Sequence, residues 1–205
     1  MSTLTELHNE IKTCQKCQLF KGAFRAVPGE GPADAKIMFI GEAPGMNEDQ
    51  QGRPFVGQAG KVLDELIASI KLRRDQVYIT NVVKHRPPDN RDPLPDEIEA
   101  CRPWLDRQIE LIRPSMIITL GRYSMARVFP DKTIGKVHGT SVKKDGILYF
   151  AMYHPAAALH QGNLRATLEA DMRKIPPLLA ELEKVAEVKE KPAQSQQLNL
   201  FQGMK

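Results

Sequence analysis

The chain has 205 residues, a formal net charge of +4, and the apolar and charged fractions of an ordinary soluble globular protein. This length allows one substantial hydrophobic core with a tail and makes a second full domain unexpected. The mild positive charge permits a nucleic-acid partner without requiring one. No apolar run is long enough to span a membrane and no signal-peptide core is present, so the sequence predicts a cytoplasmic protein.

Four short apolar segments, bounded by turn residues, have the length and composition of buried strands. They cover residues 37–40, 77–80, 116–120 and 147–152. Segments with helical spacing of apolar residues alternate with them, at about 5–13, 62–70, 95–112, 123–128 and 163–185. This alternation predicts an α/β fold with three layers, α/β/α, around a central, mainly parallel four-stranded sheet. Residues 134–146 are predicted to be a loop or an edge hairpin.

The last helical segment contains Pro176-Pro177, which predict a break there. Beyond this helix, residues 189–196 are charged and polar, which is the composition of a linker. We therefore expect one folded domain over residues 1–185 and a flexible tail over residues 186–205.

Three polar residues each follow a predicted strand at its carboxyl end: Glu42, Asn81 and His154. In open α/β sheets, binding sites form at this edge. A carboxylate there can orient or activate a water molecule, an amide can bind a planar polar group, and an imidazole can stabilise charge on an oxygen. Alternatively, each residue caps a strand or binds a loop, and spacing alone does not decide.

Two apolar residues stand in polar, turn-rich segments. Phe55 lies in a loop dense in carboxylates and glycines, where its ring either stacks on a flat ligand or, the favoured interpretation from position alone, anchors the loop to the core. Leu159 follows the His154-Pro155 pair. It either wedges into a stack of nucleic-acid bases or is buried at the start of a helix, and the sequence favours neither.

The three cysteines suggest a metal or cluster site. Cys14 and Cys17 form a Cys-x-x-Cys motif, Cys101 lies on the predicted buried face of the helix over 95–112, and His85 is the natural fourth ligand. Such a set fits either zinc or iron–sulfur chemistry, and the spacing does not choose between them. The less favoured alternative is that the thiols and the histidine are unrelated.

Five motifs resemble, in matching order between Cys14 and Met172, those of the family-four uracil-DNA glycosylases. They are GEAPGMNED, GRPFVGQAG, TNVVKHRPPDNRDP, ACRPW and HPAA. The resemblance implies a uracil-glycosylase α/β/α fold, a [4Fe-4S] cluster held by four cysteines, and hydrolysis of the glycosidic bond of uracil in DNA. Uracil-containing DNA is the implied partner.

Carried over by position, the resemblance implies a role for each site residue. Glu42 would hold the attacking water and His154 would stabilise charge on uracil O2. Phe55 would stack on the flipped uracil and Asn81 would bind its polar edge. Cys14, Cys17 and Cys101 would be cluster ligands. The remaining residues assigned to substrate binding are Gly41, Ala43, Glu48 and Leu159. Met46 and Glu48 are the candidates for excluding thymine.

His85 departs from the family pattern, which has cysteine at this position. A cross-linking offshoot of the superfamily also has histidine after Val-Lys, but it traps DNA with a histidine in an inserted loop. Residues 86–100 here are short and contain no histidine. Ordinary hydrolysis is therefore favoured. The alternatives are a uracil-DNA-binding protein without turnover or with covalent capture, and a redox-sensing cluster protein without glycosylase activity.

The tail segment Gln197-Leu198-Asn199-Leu200-Phe201 resembles the pentapeptide by which bacterial repair proteins bind the DNA sliding clamp. Its apolar residues would fill a groove on the clamp while the polar linker keeps the folded domain free. The competing interpretations are a chance apolar cluster and the remnant of a protease site. Clamp binding is the favoured one.

Overall fold

The computed structural model describes residues 3–190, and beyond residue 185 only their backbone. The predicted clamp-binding segment at 197–201 lies outside the described residues. Nine α-helices occur in the described part: α1 (Leu4–Lys12), α2 (Met46–Gln51), α3 (Gln58–Ser69), α4 (Pro95–Ile112), α5 (Arg122–Met125), α6 (Ile134–Val137), α7 (Ala157–His160), α8 (Gly162–Met172) and α9 (Ile175–Glu190). Within the described range, no helix is long and apolar enough to cross a bilayer.

One five-stranded sheet forms the centre of the molecule. Its strands are β1 (Ile37–Gly41), β2 (Tyr78–Asn81), β3 (Met116–Leu120), β4 (Ser141–Lys144) and β5 (Ile147–Met152). Their order is β2-β1-β3-β5-β4, with β4 antiparallel to β5 and the other pairs parallel. The α/β class and the four mainly parallel strands are confirmed.

The sheet has one strand more than the four predicted from the sequence, β4. This strand lies at the sheet edge, and its residues are mostly exposed, including Lys143 and Lys144. Because it has no buried face, it carries no apolar run from which a strand could be predicted. Of the two alternatives for residues 134–146, the edge hairpin is therefore the correct one for their second half.

The helical segment is interrupted between α8 and α9, two residues before Pro176. The predicted break is confirmed, and the two prolines lie in the first turn of α9, where a missing N–H costs no hydrogen bond. Helix α9 then runs to Glu190, so the boundary predicted at residue 185 falls inside a helix.

Side chains of the central strands alternate between the two faces of the sheet. On one face, Ile37 and Phe39 pack with α3, α8 and α9. On the other face, Met38 and Ile40 pack with α1 and α4. The sheet is therefore buried on both sides, which is why its strands read as continuous apolar runs.

The core on the α3 side gives a direct test of this packing. Leu63 of α3 is completely buried there. Replacing it with alanine removes buried methyl groups and leaves a cavity, so Leu63→Ala should lower the free energy of unfolding by about 2–5 kcal/mol. Urea denaturation followed by circular dichroism measures the loss.

Leu94→Ala is the matched control, because Leu94 is 47% exposed. Its effect should stay within about 0.5 kcal/mol of the parent. Equal losses in the two variants would show that the α3 face is not part of the core.

Candidate active site

A cavity of about 400 Å³ opens at the carboxyl ends of the parallel strands. Six of the eight predicted catalytic and substrate-binding residues line it: Glu42, Ala43, Glu48, Phe55, Asn81 and His154. β1 delivers Glu42, β2 ends on Asn81, and His154 follows β5. The strand-end rule therefore predicted correctly which side chains the fold brings together.

Gly41 lies beside this cavity, and any side chain at this position would clash with its neighbours. A Cβ atom there would lie 2.4 Å from Asn81 Oδ1 and 2.5 Å from Cζ of Phe55. Both distances are far below van der Waals contact. Gly41 thus acts by letting the amide and the ring approach the end of β1, rather than by lining the cavity.

The loop that carries Phe55 is held by the carboxylate of Glu48. Glu48 Oε1 accepts hydrogen bonds from the N–H groups of Val56 and Gly57, each at 2.8 Å, and Oε2 accepts one from Gly45 at 3.1 Å. The carboxylate therefore links the backbone at Gly45 to the backbone at residues 56–57, directly after Phe55. Met46, the other candidate for excluding thymine, does not line the cavity, and its sulfur accepts a hydrogen bond from Arg86.

Phe55 anchors its loop to the core, as its position in the sequence favoured, and its ring also borders the cavity. Its side chain is buried in the α3-side core and also forms a wall of the cavity. Its φ angle is +51°, in the left-handed region, and Arg74 binds its carbonyl oxygen at 3.2 Å. A Cβ on Gly60 would lie 2.0 Å from that same oxygen, so glycine is required at position 60.

His154 stacks on Phe55, with ring centroids 5.5 Å apart and an interplanar angle of 27°. Its Nδ1 accepts a hydrogen bond from the Ala156 N–H at 3.2 Å. Burial lowers the pKa of His154 to about 4, although the charge of Glu48 acts in the opposite direction. The imidazole is therefore neutral at neutral pH, with its proton on Nε2, where it can be donated to a ligand.

Glu42 is half-buried, and burial raises its pKa to about 7. The nearby charge of Asp92 acts on this pKa in the same direction as burial, whereas that of Arg122 acts against it. Asp92 and Arg122 form an ion pair with each other. A carboxyl group with a pKa near neutrality can take a proton from water in the pH range in which proteins work.

Asp92 and Arg122 were missed by the sequence analysis. Arg122 follows β3 after a single glycine, so the strand-end rule that identified the other three residues also applied to it. Asp92 lies in the loop after β2, together with Asn90 and Arg91 of the cavity wall. That loop has no periodicity from which its return to the site could be predicted.

Asn81 is 1% exposed, and its Oδ1 has no hydrogen-bond partner in the part of the chain that the structure describes. Buried polar atoms in native proteins are nearly always paired. An unpaired amide oxygen beside a cavity is therefore positioned to bind a polar group of a ligand.

Leu159 lies on the short helix α7, just after the His154 segment, and its side chain is 46% exposed. The alternative in which it is buried at a helix start is wrong. An exposed leucine beside a ligand cavity remains free to contact a large partner.

The predicted cluster ligands lie on the opposite side of the sheet from α3. Cys14 and Cys17 pack against the core that contains Cys101, and His85 is buried nearby, lining a small cavity of about 150 Å³ together with Cys14. The pKa of Cys101 is raised to about 11, mainly by burial, with the charges of Cys17 and Cys14 acting in the same direction and Lys84 in the opposite one. Among the described side chains, no three His, Cys, Asp or Glu residues are grouped closely enough to bind one metal ion.

Among the known proteins to which this chain is similar are uracil-DNA glycosylases. A profile of the uracil DNA glycosylase superfamily matches residues 28–175. A type-4 uracil-DNA glycosylase of Sulfurisphaera tokodaii is 53% identical, covering 87% of this chain and 86% of the relative. One of Archaeoglobus fulgidus is 48% identical, covering 87% and 94%.

A type-5 uracil-DNA glycosylase of Pyrobaculum aerophilum is more distant, at 30% identity over 81% of this chain and 80% of the relative. The similarity to the type-4 proteins thus extends over nearly the whole described domain and exceeds that to the type-5 protein. The chain belongs to the uracil-DNA glycosylase superfamily and, within it, to the type-4 uracil-DNA glycosylases.

Proposed function

We propose that this protein hydrolyses the N-glycosidic bond of uracil in DNA and thereby starts base excision repair in the cytoplasm. One observation carries the proposal: a single cavity gathers a carboxyl group with a pKa of about 7, a neutral imidazole with its proton on Nε2, and an amide whose oxygen has no partner among the described residues. Hydrolysis that releases an anionic base needs a group that activates water, a donor that stabilises the charge on the leaving base, and a group that recognises the base.

The target base must leave the double helix to reach this cavity, at a cost of a few kcal/mol. The cavity of about 400 Å³ has room for one base, and Phe55 forms an aromatic wall. Stacking of a base on an aromatic ring contributes about 1–3 kcal/mol, which offsets part of the cost of flipping. Leu159, whose exposure on α7 supports this role, would fill the gap left in the stack.

Bond cleavage leaves the electron pair of the C1′–N1 bond on uracil, which departs as an anion with charge on O2. The Nε2–H of His154 donates a hydrogen bond to that oxygen. Because the imidazole is neutral and already oriented by the Ala156 N–H, it needs no rearrangement as the charge develops. Glu42 as carboxylate orients the water that attacks C1′ and accepts its proton.

Asn81 supplies the selectivity for uracil. Its amide presents an acceptor for uracil N3–H and donors for O4, whereas cytosine has the opposite pattern at this edge. The Asn81 oxygen has no competing partner in the described structure, which supports this role.

We propose that the cysteines and His85 hold an iron–sulfur cluster rather than a single metal ion, because no three such side chains among the described residues are grouped closely enough for one ion. A cubane cluster takes one ligand at each of four irons, so its ligands lie farther apart than those of zinc. Hydrogen bonds already reach two sulfurs: Trp104 Nε1 donates to Cys14 at 3.1 Å, and the Lys84 N–H donates to Cys101 at 3.3 Å. We assign Cys14, Cys17, Cys101 and His85 to a [4Fe-4S] cluster whose contribution is structural, joining the N-terminal segment to α4.

Asp49 supports His85 as the fourth ligand. It is fully buried, and its Oδ2 has no hydrogen-bond partner among the residues described. Its charge raises the pKa of His85, against the larger effect of burial, which lowers it. A ligating histidine commonly directs its other ring N–H to a carboxylate. Asp49 is suited to that position.

Covalent capture of DNA, the alternative suggested by the histidine at position 85, is not supported. His85 lines the small cavity beside Cys14 and not the cavity that contains Glu42 and Asn81. The loop after it contributes Pro87, Asn90 and Arg91 to the active-site wall, none of which is a nucleophile for C1′. Turnover is therefore the favoured function.

The activity should follow the ionisation of Glu42. The carboxylate is the active form and its pKa is raised to about 7, so the rate of uracil release should fall about tenfold per pH unit below that value and level off above it. Single-turnover release from a uracil-containing oligonucleotide at a series of pH values measures this.

Three variants sharpen this test. Glu42→Gln should remove the pH dependence along with most of the activity, and His154→Ala should slow release by about a hundred- to a thousandfold. Asp92→Asn removes a like charge and frees Arg122, so it should move the midpoint to lower pH. A parent enzyme with a flat profile, or an unchanged midpoint in Asp92→Asn, would contradict the role of Glu42.

The cluster assignment predicts brown protein with about four iron atoms per chain after anaerobic purification. His85→Ala should lower the iron content and change the visible spectrum, whereas His85→Cys should retain four irons. Iron analysis and absorption spectra measure both. Colourless protein with one zinc per chain would reject the cluster, and an unchanged spectrum in His85→Ala would reject His85 as a ligand.

We also propose that residues 197–201 tether the enzyme to the sliding clamp. Truncation after Gln196 should abolish binding to the purified clamp of the source organism while leaving uracil release from short oligonucleotides unchanged. Surface plasmon resonance on immobilised clamp compares the two forms. Equal affinities would exclude the tail as the binding segment.

A further inference from the structure

Lys84 is a completely buried lysine between the active-site strand β2 and helix α4. Its ammonium group donates to Asn81 O at 2.6 Å, Thr80 Oγ1 at 2.8 Å and Gln108 Oε1 at 2.8 Å. An ammonium group has three N–H donors, so every one of them has an acceptor. Lysine is almost never fully buried unless its partners are specified in this way.

The acceptors are themselves held in one orientation. Gln108 uses its oxygen for Lys84, and its NH₂ group donates to Pro28 O at 2.7 Å and to Tyr78 Oη at 2.8 Å. The hydroxyl of Thr80 accepts from Lys84 and donates to Pro28 O at 2.8 Å. Thr80 Oγ1 also lies 3.3 Å from Gln108 Oε1, so the polar groups form one connected hydrogen-bond network, which makes the cluster rigid.

The hydrogen bond to Asn81 fixes one particular peptide group. Lys84 binds the carbonyl oxygen of the 81–82 peptide, and the N–H of the same peptide donates to Gly41 O at 3.1 Å. The next N–H, of Val83, donates to Glu42 O at 3.1 Å. The backbone that carries the Asn81 amide is thus held from both sides, against the strand end that carries Glu42.

We infer that Lys84 is a positioning residue for base recognition: through the 81–82 peptide it fixes the Asn81 amide relative to Glu42. The inference rests on the proposed function, in which Asn81 binds the uracil edge. Lys84 does not line the cavity. Its effect on catalysis is carried entirely by the geometry of Asn81.

If Lys84 positions Asn81, removing its three donors should slow bond cleavage and leave the affinity for DNA unchanged. An error of about 1 Å in the position of a binding group can cost about a hundredfold in rate. Lys84→Met keeps most of the side-chain volume and removes all three donors. It should slow single-turnover uracil release at saturating enzyme by about ten- to a hundredfold. Affinity for the same oligonucleotide with thymine in place of uracil should stay within about twofold, because that DNA is bound without the amide.

Position 80 provides a second test that perturbs the cluster less. Thr80→Val removes the hydroxyl that accepts from Lys84, whereas Thr80→Ser retains it. Release should slow about three- to tenfold in the valine variant, on the scale of one lost hydrogen bond, and stay near the parent rate in the serine variant. This pair decides the question if Lys84→Met does not fold.

Leu105→Ala is the control for general loss of stability. Leu105 is buried on α4, three residues before Gln108, and belongs to the apolar core without a part in the polar cluster. It should lower the melting temperature and leave the release rate unchanged at temperatures where it is folded. Iron content, measured for every variant, separates an effect on the cluster from one on Asn81.

Rates in Lys84→Met and Thr80→Val equal to that of Leu105→Ala would overturn the inference. So would an equal slowing in Thr80→Val and Thr80→Ser. A parent protein that releases no uracil would instead refute the proposed function itself, so the two failures are distinguishable.

Discussion

The close approach of β1 and β2 at their carboxyl ends is the constraint on which the active site depends. Gly41 pairs with Asn81 in the parallel register, and only hydrogen at position 41 leaves room for both the Asn81 amide and the Phe55 ring. A side chain there would separate the groups assigned to bind the base from Glu42, the next residue in the chain. The carboxylate assigned to catalysis and the groups assigned to recognition are therefore positioned by one backbone contact.

Burial shifts the pKa values of Glu42 and His154, which both line the cavity, in opposite directions. It raises the pKa of Glu42 to about 7 and lowers that of His154 to about 4. In both cases the neutral form gains, because a low dielectric penalises charge. For His154 this yields a neutral donor, and for Glu42 it yields a carboxylate that holds a proton well once it has taken one. The same cavity thus contains a neutral hydrogen-bond donor, His154, and a basic carboxylate, Glu42.

The sequence was most informative where function follows from position along a strand. Glu42, Asn81 and His154 come directly after apolar runs, so the topology rule alone brought them together. The sequence carries no signal where tertiary contacts decide the position of a residue. Asp92 reaches the site from an irregular loop, and Lys84 is buried although lysine is normally exposed. Glu48 was expected to contact substrate, yet its oxygens bind three backbone N–H groups, which no sequence pattern announces.

The two edges of the sheet differ in how they are closed to other strands. At β2, Glu30 exchanges both backbone hydrogen bonds with Ile79, at 2.8 and 2.9 Å, and so covers that edge. At β4, the edge is open but carries Lys143 and Lys144 on a strand of four residues. Short, lysine-bearing edges resist pairing with a second sheet. The sheet can therefore present its carboxyl end to a long polyanion while its sides offer no template for self-association.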